Sequence, residues 1–473
     1  MPASFHPRRL PHPLPRLLPL LLGAAILPLA GCGTIRRTVA TPTNLVSHQL
    51  CSAAFVSHID PERFYEEAVV PDVAPVKGLI RHHVDLQRQE VTATFAGGLA
   101  QSRAVFRGDT GCVVVQGPLP PAPHDQGPRT AALAPPIAGP DVVTPSDPRL
   151  AAALDHVFAQ PASGPRRYVR AVVVMQDGRI VAERYGPGYG PDTVFTGWSM
   201  TKSVTNALLG ILVRQGKLDM AAPAPLAAWA DAKNPRHAVT PDNLLRMVSG
   251  LDVGDSLEPG VHSAFDVAAR AQFARPDMAT AFVDAKVQAP PGQRFRYADG
   301  STLLLSRIIR QEAGGTGQDV LLLARRELFD KLGMTHTTLE EDASGTPIGA
   351  SHMWASARDW ARFGQLYLDD GVAGGERILP AGWVDYSARL TPGSEAIGYG
   401  AGWWTNRGGS DGARHRPHLP TDSFLARGSH GQFTIVIPSA RVVIVKLGDA
   451  YTPYGDMAAM DRFTGEVLAA LGR

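Results

Sequence analysis

The chain has 473 residues, a formal net charge of +2 at pH 7, and 19% charged residues. A chain of this length can bury a large core and divide into more than one domain. The nearly neutral balance, with no basic stripe and no nucleic-acid-binding motif, argues against a nucleic acid as partner.

The N-terminus predicts a lipoprotein signal peptide over residues 1–31. Two arginines, Arg8 and Arg9, precede an apolar run at residues 17–29, which is short and broken by two prolines. These features favour a signal peptide over a membrane-spanning helix. The run ends in Leu-Ala-Gly-Cys at residues 29–32, which is similar to a bacterial lipobox. We therefore expect a periplasmic protein anchored in a bacterial membrane through lipidated Cys32. The alternative is an ordinary signal peptide followed by an incidental cysteine.

Residues 32–116, the N-terminal extension, read as a small lobe or an extension of the main body, with short strands at residues 91–95 and 112–115. Lipidation of Cys32 would leave two cysteines. An even pair in an exported chain predicts a disulfide between Cys51 and Cys112, the alternative being two buried thiols. The proline-rich residues 117–148 predict an extended linker or a strap on the surface.

The main domain is predicted over residues 149–473. A helix is expected at residues 150–158 and a hairpin at residues 169–185, with Asp177-Gly178 in a type I′ turn. Short helical runs fill residues 217–290. Two strands at residues 433–437 and 442–447 precede a closing helix at residues 456–471. Strands at both ends with helices between and after them predict an α/β fold, an antiparallel sheet flanked by helices.

Ser199 and Lys202 stand one turn apart where a helix is predicted to begin, since apolar residues follow at helical spacing. A serine hydroxyl is a weak nucleophile until a base takes its proton. A lysine can do this when burial keeps its amine neutral. The helix start adds N–H groups that can bind an oxyanion. A capping serine beside a solvated lysine is the alternative. The nucleophile elbow G-x-S-x-G is absent here, which disfavours an α/β-hydrolase.

Two further stretches carry polar groups before predicted elements. The first is P-G-Q-R-F-R-Y-A-D-G at residues 291–300, which contains Tyr297 and Asp299. The second is R-G-S-H-G-Q at residues 427–432, which contains His430, Gly431 and Gln432. Trp403 is a candidate for the wall of a substrate cleft, with core packing as its alternative. The histidines and aspartates of residues 405–422 favour a solvated loop over a metal site.

Taken together, the three stretches resemble the S-x-x-K, Y-x-N and K-T-G or H-x-G motifs of the penicillin-recognising serine hydrolases. This family includes class C beta-lactamases, D-alanyl-D-alanine carboxypeptidases, related esterases and 6-aminohexanoate-dimer hydrolases, and the resemblance covers residues 165–473. It implies a sheet domain beside an all-helical subdomain, with the active site between them and no metal or other cofactor. It also implies that Ser199 is acylated, that Lys202 and Tyr297 move its proton, and that backbone N–H groups of Ser199 and Gln432 bind the oxyanion.

The chain departs from the family pattern at two positions. Asp299 replaces the asparagine of Y-x-N, and a carboxylate beside Lys202 would raise the lysine pKa and oppose its use as a base. Either Asp299 points elsewhere or Tyr297 is the base. No lysine occupies the K-T-G position, where His430 stands in place of the threonine. In the family this lysine helps to hold a substrate carboxylate, so its absence argues against efficient beta-lactam turnover unless Arg427 substitutes for it. We expect Asp299, His430, Gly431 and Trp403 to contact substrate.

These patterns predict a serine hydrolase that cleaves a small-molecule ester or amide through an acyl-enzyme. The alternative is a catalytically weak, penicillin-binding-like lipoprotein that acts as a binding or sensor protein.

Overall fold

The computed structural model describes residues 31–256, 267–407, 416–451 and 456–473, without the side chains of residues 31–39, 267 and 268. Nearly all of the predicted signal peptide, and the side chain of Cys32, therefore lie outside the described residues. Among the helices that are described, none combines the length and the apolar character needed to cross a membrane.

The strands, in chain order, are β1 (Ile80–Asp85), β2 (Glu90–Phe95), β3 (Ala100–Phe106), β4 (Cys112–Val114), β5 (Arg167–Gln176), β6 (Arg179–Tyr185), β7 (Val194–Thr196), β8 (Thr337–Leu339), β9 (Met353–Ser356), β10 (Val372–Ala373), β11 (Glu376–Arg377), β12 (Trp404–Thr405), β13 (Phe424–Gly428), β14 (Gln432–Ile437) and β15 (Val442–Ala450). The helices are α1 (Gly31–Phe55), α2 (Pro61–Phe64), α3 (Val70–Val73), α4 (Pro148–Phe158), α5 (Thr201–Arg214), α6 (Pro241–Leu245), α7 (Val267–Phe273), α8 (Asp299–Ala313), α9 (Gly317–Ala324), α10 (Asp330–Leu332), α11 (Ala357–Leu368), α12 (Trp383–Ala388) and α13 (Met457–Ala470).

A six-stranded antiparallel sheet, in the order β12-β13-β14-β15-β5-β6, forms the centre of the main domain. Successive residues of β5 pack into different clusters, because side chains alternate across a strand. Val173 joins the cluster that contains α11, and Val172 joins the cluster that contains α4 and α13. Burial on both faces explains the continuous apolar runs in these strands. The predicted antiparallel sheet flanked by helices is confirmed.

The hairpin of β5 and β6 turns at Asp177 and Gly178, which both have positive φ, at 48° and 80°. A type I′ turn requires this conformation at both central residues, so the sequence signal at this turn was correct. Between β7 and β8 the described residues form helices α5 to α10 and loops, which make the predicted helical subdomain.

The N-terminal extension is built around α1, which the sequence did not predict. It packs across β2, β3 and β4 of a separate antiparallel sheet, in the order β1-β2-β3-β4, and against α7 of the helical subdomain. The predicted disulfide between Cys51 and Cys112 is present and ties α1 to β4. The apolar cluster of α1 continues into that of the main domain, so the extension is not an independent lobe.

The proline-rich residues 117–147 contain no helix or strand and lie as a strap on the main domain. Leu133 donates a backbone hydrogen bond to Lys331, and Ile137, which is buried, accepts one from Ile180. Of the two sequence interpretations, the surface strap is the one that these contacts support.

Candidate active site

Ser199 lies in a single 3₁₀ turn, Trp198–Met200, that joins β7 to α5. Two hydrogen bonds hold this turn: the Gly197 N–H donates to Met353 O at 2.7 Å, and the Thr201 hydroxyl donates to Trp198 O at 2.7 Å. Trp198 adopts a positive φ of 46°, which is uncommon for a bulky residue and typical of functional turns. Because α5 is buried along most of its length, the turn sits on a rigid support.

Lys202 is 2% exposed, and its Nζ makes three hydrogen bonds. It donates to Ser199 Oγ at 2.9 Å, to Asp299 Oδ1 at 2.5 Å and to Ala350 O at 2.9 Å. Asp299 therefore does point at Lys202, which answers the question left open by the sequence. Burial by itself lowers the pKa of Lys202, but the Asp299 carboxylate and the Tyr297 hydroxyl more than offset this and hold the pKa above its ordinary value. The resting lysine is thus a cation that donates to the serine.

Tyr297 stands on the loop before α8, with its ring centroid 5.0 Å from Lys202 Nζ. Its ring packs against Tyr399 and Trp404, at centroid distances of 5.4 Å and 5.3 Å. These aromatic neighbours leave the side chain 4% exposed, and it lines the same cavity as Ser199. Ser199 and Lys202 are thus brought together with Tyr297 and Asp299 from two separate stretches of the sequence.

Asp299 is oriented by a hydrogen-bond chain of two residues that the sequence did not single out, Gln272 and Ser351. Gln272 Nε2 donates to Asp299 Oδ2 at 3.0 Å, and Gln272 Oε1 accepts from the Ser351 hydroxyl at 2.9 Å. Gln272 lies on α7 and Ser351 in the loop before β9. No local pattern could reveal them, because their roles depend on distant segments that meet only in the folded chain.

The end of β13 forms the wall opposite these groups. Gly428 packs against the Ser199 turn so closely that a Cβ there would lie 2.2 Å from the Gly197 carbonyl oxygen. Gly428, Ser429 and His430 line the cavity. Burial alone lowers the pKa of His430, but the nearby Asp72 carboxylate reverses this and raises the pKa above the ordinary value.

The predictions for Gly431 and Gln432 need correction, since both lie behind this wall. The Gly431 carbonyl accepts a hydrogen bond from Lys446 Nζ at 3.1 Å. Gln432 is 1% exposed and pairs with Gly428 in the β13–β14 ladder, while its side chain bonds to the backbone of Gly448. Neither residue lines the cavity, whose wall at this point is formed by Gly428, Ser429 and His430 instead.

The prediction for Trp403 is also wrong. Its ring is fully buried and packs against Phe363, Tyr367 and Phe424 in the core. Adjacent residues of a strand point to opposite faces, so Trp404 is the tryptophan that faces the cleft. The Arg427 guanidinium carbon lies 5.2 Å from the Trp404 ring centroid and also reaches the cleft.

The cleft encloses about 140 Å³ and is partly open to solvent. It lies between the helical subdomain and the edge of the six-stranded sheet, and Leu45 of the N-terminal extension also lines it. The lining residues are Leu45, Trp198, Ser199, Ser256, Ala269, Gln272, Phe273, Tyr297, Asp299, Ser351, Trp404, Arg427, Gly428, Ser429 and His430.

One group of buried side chains in the described residues has the composition of a metal site. The ligand atoms of His48, Glu340 and His352 lie within 4.8 Å of one another. Glu340, however, already accepts hydrogen bonds from the Ser52 hydroxyl at 2.7 Å and the Trp354 indole at 3.0 Å. Because the Glu340 carboxylate already has these partners, we interpret the group as a structural hydrogen-bond cluster. The loop at residues 405–422 was the other candidate metal site, and its residues 408–415 lie outside the described part of the chain.

Comparison with known proteins agrees with this geometry. The Beta-lactamase family model matches residues 154–469. The 6-aminohexanoate-dimer hydrolase of Paenarthrobacter ureafaciens is 26% identical over 299 residues, which cover 59% of this chain and 71% of that protein. A Bacillus anthracis structure assigned as a 6-aminohexanoate-dimer hydrolase is 25% identical with a TM-score of 0.54, covering 64% of this chain and 80% of its own.

A penicillin-binding protein homologue from Caulobacter crescentus superposes with a TM-score of 0.53 at 18% identity. The match covers 70% of this chain and 99% of that one, and at this identity it shows the shared fold alone.

Proposed function

The chain belongs to the beta-lactamase family, and from that premise we propose that it hydrolyses an ester or amide through an acyl-enzyme on Ser199. The observation that supports this most directly is the hydrogen bond from Lys202 Nζ to Ser199 Oγ at 2.9 Å, in the lining of a cleft. A nucleophile and its activating group within hydrogen-bond reach, with a third group orienting the second, form the arrangement that covalent catalysis requires.

In the proposed acylation step, Tyr297 acts as a phenolate: Ser199 Oγ attacks the substrate carbonyl carbon, and the serine proton passes to the Tyr297 oxygen. Lys202 is already protonated beside Asp299, so it cannot accept this proton while that pair persists. The positive charge of Lys202 instead stabilises the Tyr297 phenolate before the proton transfer and the negative charge that develops on Ser199 Oγ. Tyr297 then protonates the leaving alcohol or amine. Water attacks the acyl-enzyme by the reverse proton path and releases the acid.

The oxyanion of the tetrahedral intermediate needs two N–H donors near Ser199 Oγ. The N–H of Ser199 itself is one candidate, since Ser199 lies in the turn that leads into α5. For the second donor we propose Ser429, which is exposed in the cleft wall just after Gly428, in place of Gln432. The close packing of Gly428 on the Ser199 turn keeps these two backbone segments together.

For the substrate we propose a small linear amide or ester. The relatives named as 6-aminohexanoate-dimer hydrolases favour this class. The second candidate function is penicillin binding without efficient turnover, as a binding or sensor protein. It is favoured by the pairing of Lys202 with Asp299, which withholds the lysine as a base, and by the absence of a lysine at the K-T-G position.

We also propose that the mature protein is periplasmic and is anchored to a bacterial membrane through lipidated Cys32. This rests on the lipobox-like sequence alone. Metabolic labelling with an alkyne fatty acid should mark the wild-type protein and not Cys32→Ser. Equal labelling of both would exclude Cys32 as the lipidated residue.

The deciding experiment compares wild type with Ser199→Ala, using a fluorophosphonate, a fluorescent penicillin and a short-chain p-nitrophenyl ester. Ser163→Ala is the matched control, because this serine is exposed and does not line the cleft. We expect labelling and hydrolysis to fall to background only in Ser199→Ala. Penicillin labelling without hydrolysis of any ester or amide would favour the second candidate. Full ester hydrolysis by Ser199→Ala would refute both.

A further inference from the structure

We propose that Asp72, in the N-terminal extension, is a positioning residue of the catalytic cleft, because it holds His430 beside the backbone that faces Ser199. This inference rests on the proposed hydrolase function. Asp72 lies outside residues 154–469, the part that matches the family model. The extension would then complete the active site as well as stabilise the fold.

His430 is held from three sides. Asp72 Oδ2 lies 3.4 Å from His430 Nε2. The Trp198 ring packs edge-on at a centroid distance of 5.4 Å, and the Tyr451 ring lies at 4.6 Å. His430 adopts a positive φ of 59°, a conformation that a residue other than glycine keeps only where its surroundings enforce it. This conformation shapes the turn that presents Ser429 to the cleft.

Asp72 is itself 5% exposed and follows Pro71 in the short helix α3. Two contacts tie the neighbouring residues to the main domain. The Tyr451 hydroxyl donates to Ala68 O at 2.6 Å, and Arg170 bridges Glu67 at 3.2 Å and Asp449 at 2.7 Å. The carboxylate is therefore placed by buried bonds that cross from the extension to the six-stranded sheet.

The charges around His430 favour its protonated form. Asp72 of α3 and Asp449 of β15 both raise its pKa, whereas burial lowers it, and the net pKa lies above the ordinary value. Asp449 forms an ion pair with Arg170 at 2.7 Å, and Tyr451 contacts His430 through its uncharged ring. Asp72 is thus the partner whose removal matters most. An imidazolium next to the Ser429 N–H adds positive potential where the oxyanion forms.

The test is the pH dependence of kcat/KM on a neutral p-nitrophenyl ester for wild type, Asp72→Asn and the rescue variant Asp72→Glu. Glu66→Gln, an exposed charge in the same segment, is the matched control. If His430 must be protonated, activity falls as pH rises through its pKa. Loss of the carboxylate lowers that pKa, so Asp72→Asn should move the alkaline limb down by about one unit and reduce activity by about tenfold on that limb. Asp72→Glu should restore much of both.

A double-mutant cycle with His430→Gln isolates the contact. The single His430→Gln variant should lose the alkaline limb, and adding Asp72→Asn to it should change nothing further. Thermal unfolding and fluorophosphonate labelling of Ser199 normalise each value to folded, reactive enzyme.

An Asp72→Asn profile that overlays the wild type would overturn the proposal, and so would an equal effect of Asp72→Asn in the His430→Gln background. If Asp72→Asn does not fold, an alkaline limb that survives in His430→Gln overturns it by itself. None of these results changes the outcome expected for Ser199→Ala, so failure of the inference is distinguishable from failure of the proposed function.

Discussion

Substitution of Asp299 by asparagine should move the acid limb of the pH profile to lower pH. Asp299 Oδ1 lies 2.5 Å from Lys202 Nζ, and both groups are almost fully buried. Its negative charge opposes loss of a proton from every group around Ser199. Asparagine keeps the shape and a hydrogen bond to Gln272 while removing that charge.

Coulomb's law gives the size of the pKa shift for a base about 4 Å from the carboxylate. A unit charge about 4 Å away contributes about 4 kcal/mol at an effective dielectric of about 20. One pKa unit corresponds to about 1.4 kcal/mol, so the upper bound is about three units. Because the cleft is partly open to solvent, which screens the charge, we expect a pKa shift of roughly one unit or more. The direction is the same whether Tyr297 or a newly deprotonated Lys202 acts as base.

The assay is kcat/KM on one activated ester between pH 5 and 10, for Asp299→Asn, wild type and the control Asp252→Asn. Asp252 carries an exposed carboxylate, 3.5 Å from Arg296, and does not line the cleft. An Asp299→Asn profile that coincides with the wild type would refute the reasoning, since it would mean that the carboxylate does not act on the base. A shift of the same size in Asp252→Asn would point to general screening of surface charge.

Three further outcomes follow from the structure. Lys202→Ala and Tyr297→Phe should each lower kcat about 10²–10⁴-fold with intact folding by circular dichroism, and near-wild-type kcat in either would remove that residue from the proton path. Replacing Cys51 and Cys112 together by serine should lower the free energy of unfolding by about 2–5 kcal/mol in urea titrations, whereas an unchanged midpoint would show that the link is dispensable. Gly428→Ala should reduce Ser199 labelling, because its methyl group would meet the Gly197 carbonyl; normal labelling would show that the turn can shift.

Local patterns in the sequence determined most of the main domain. The Asp177-Gly178 turn, the strands around Ile435 and Ile444 and the closing helix α13 each follow from nearby residues. The same holds for the pairing of Ser199 with Lys202, because two residues one turn apart on a helix are neighbours in any fold that keeps the helix. The disulfide was predictable from the cysteine count, since few alternatives remained.

Only the tertiary structure decided how these parts are used. Long-range packing brought Gln272 within hydrogen-bond distance of Asp299. It also buried Trp403 in the core, because the segments packed against a strand decide which of its faces is buried. The helix α1 escaped prediction since its buried face is largely polar and bonds to distant partners such as Glu340. Whether Lys202 carries a charge was likewise undetermined by sequence: burial and a nearby carboxylate shift its pKa in opposite directions, and only the 2.5 Å contact with Asp299 shows which effect is larger.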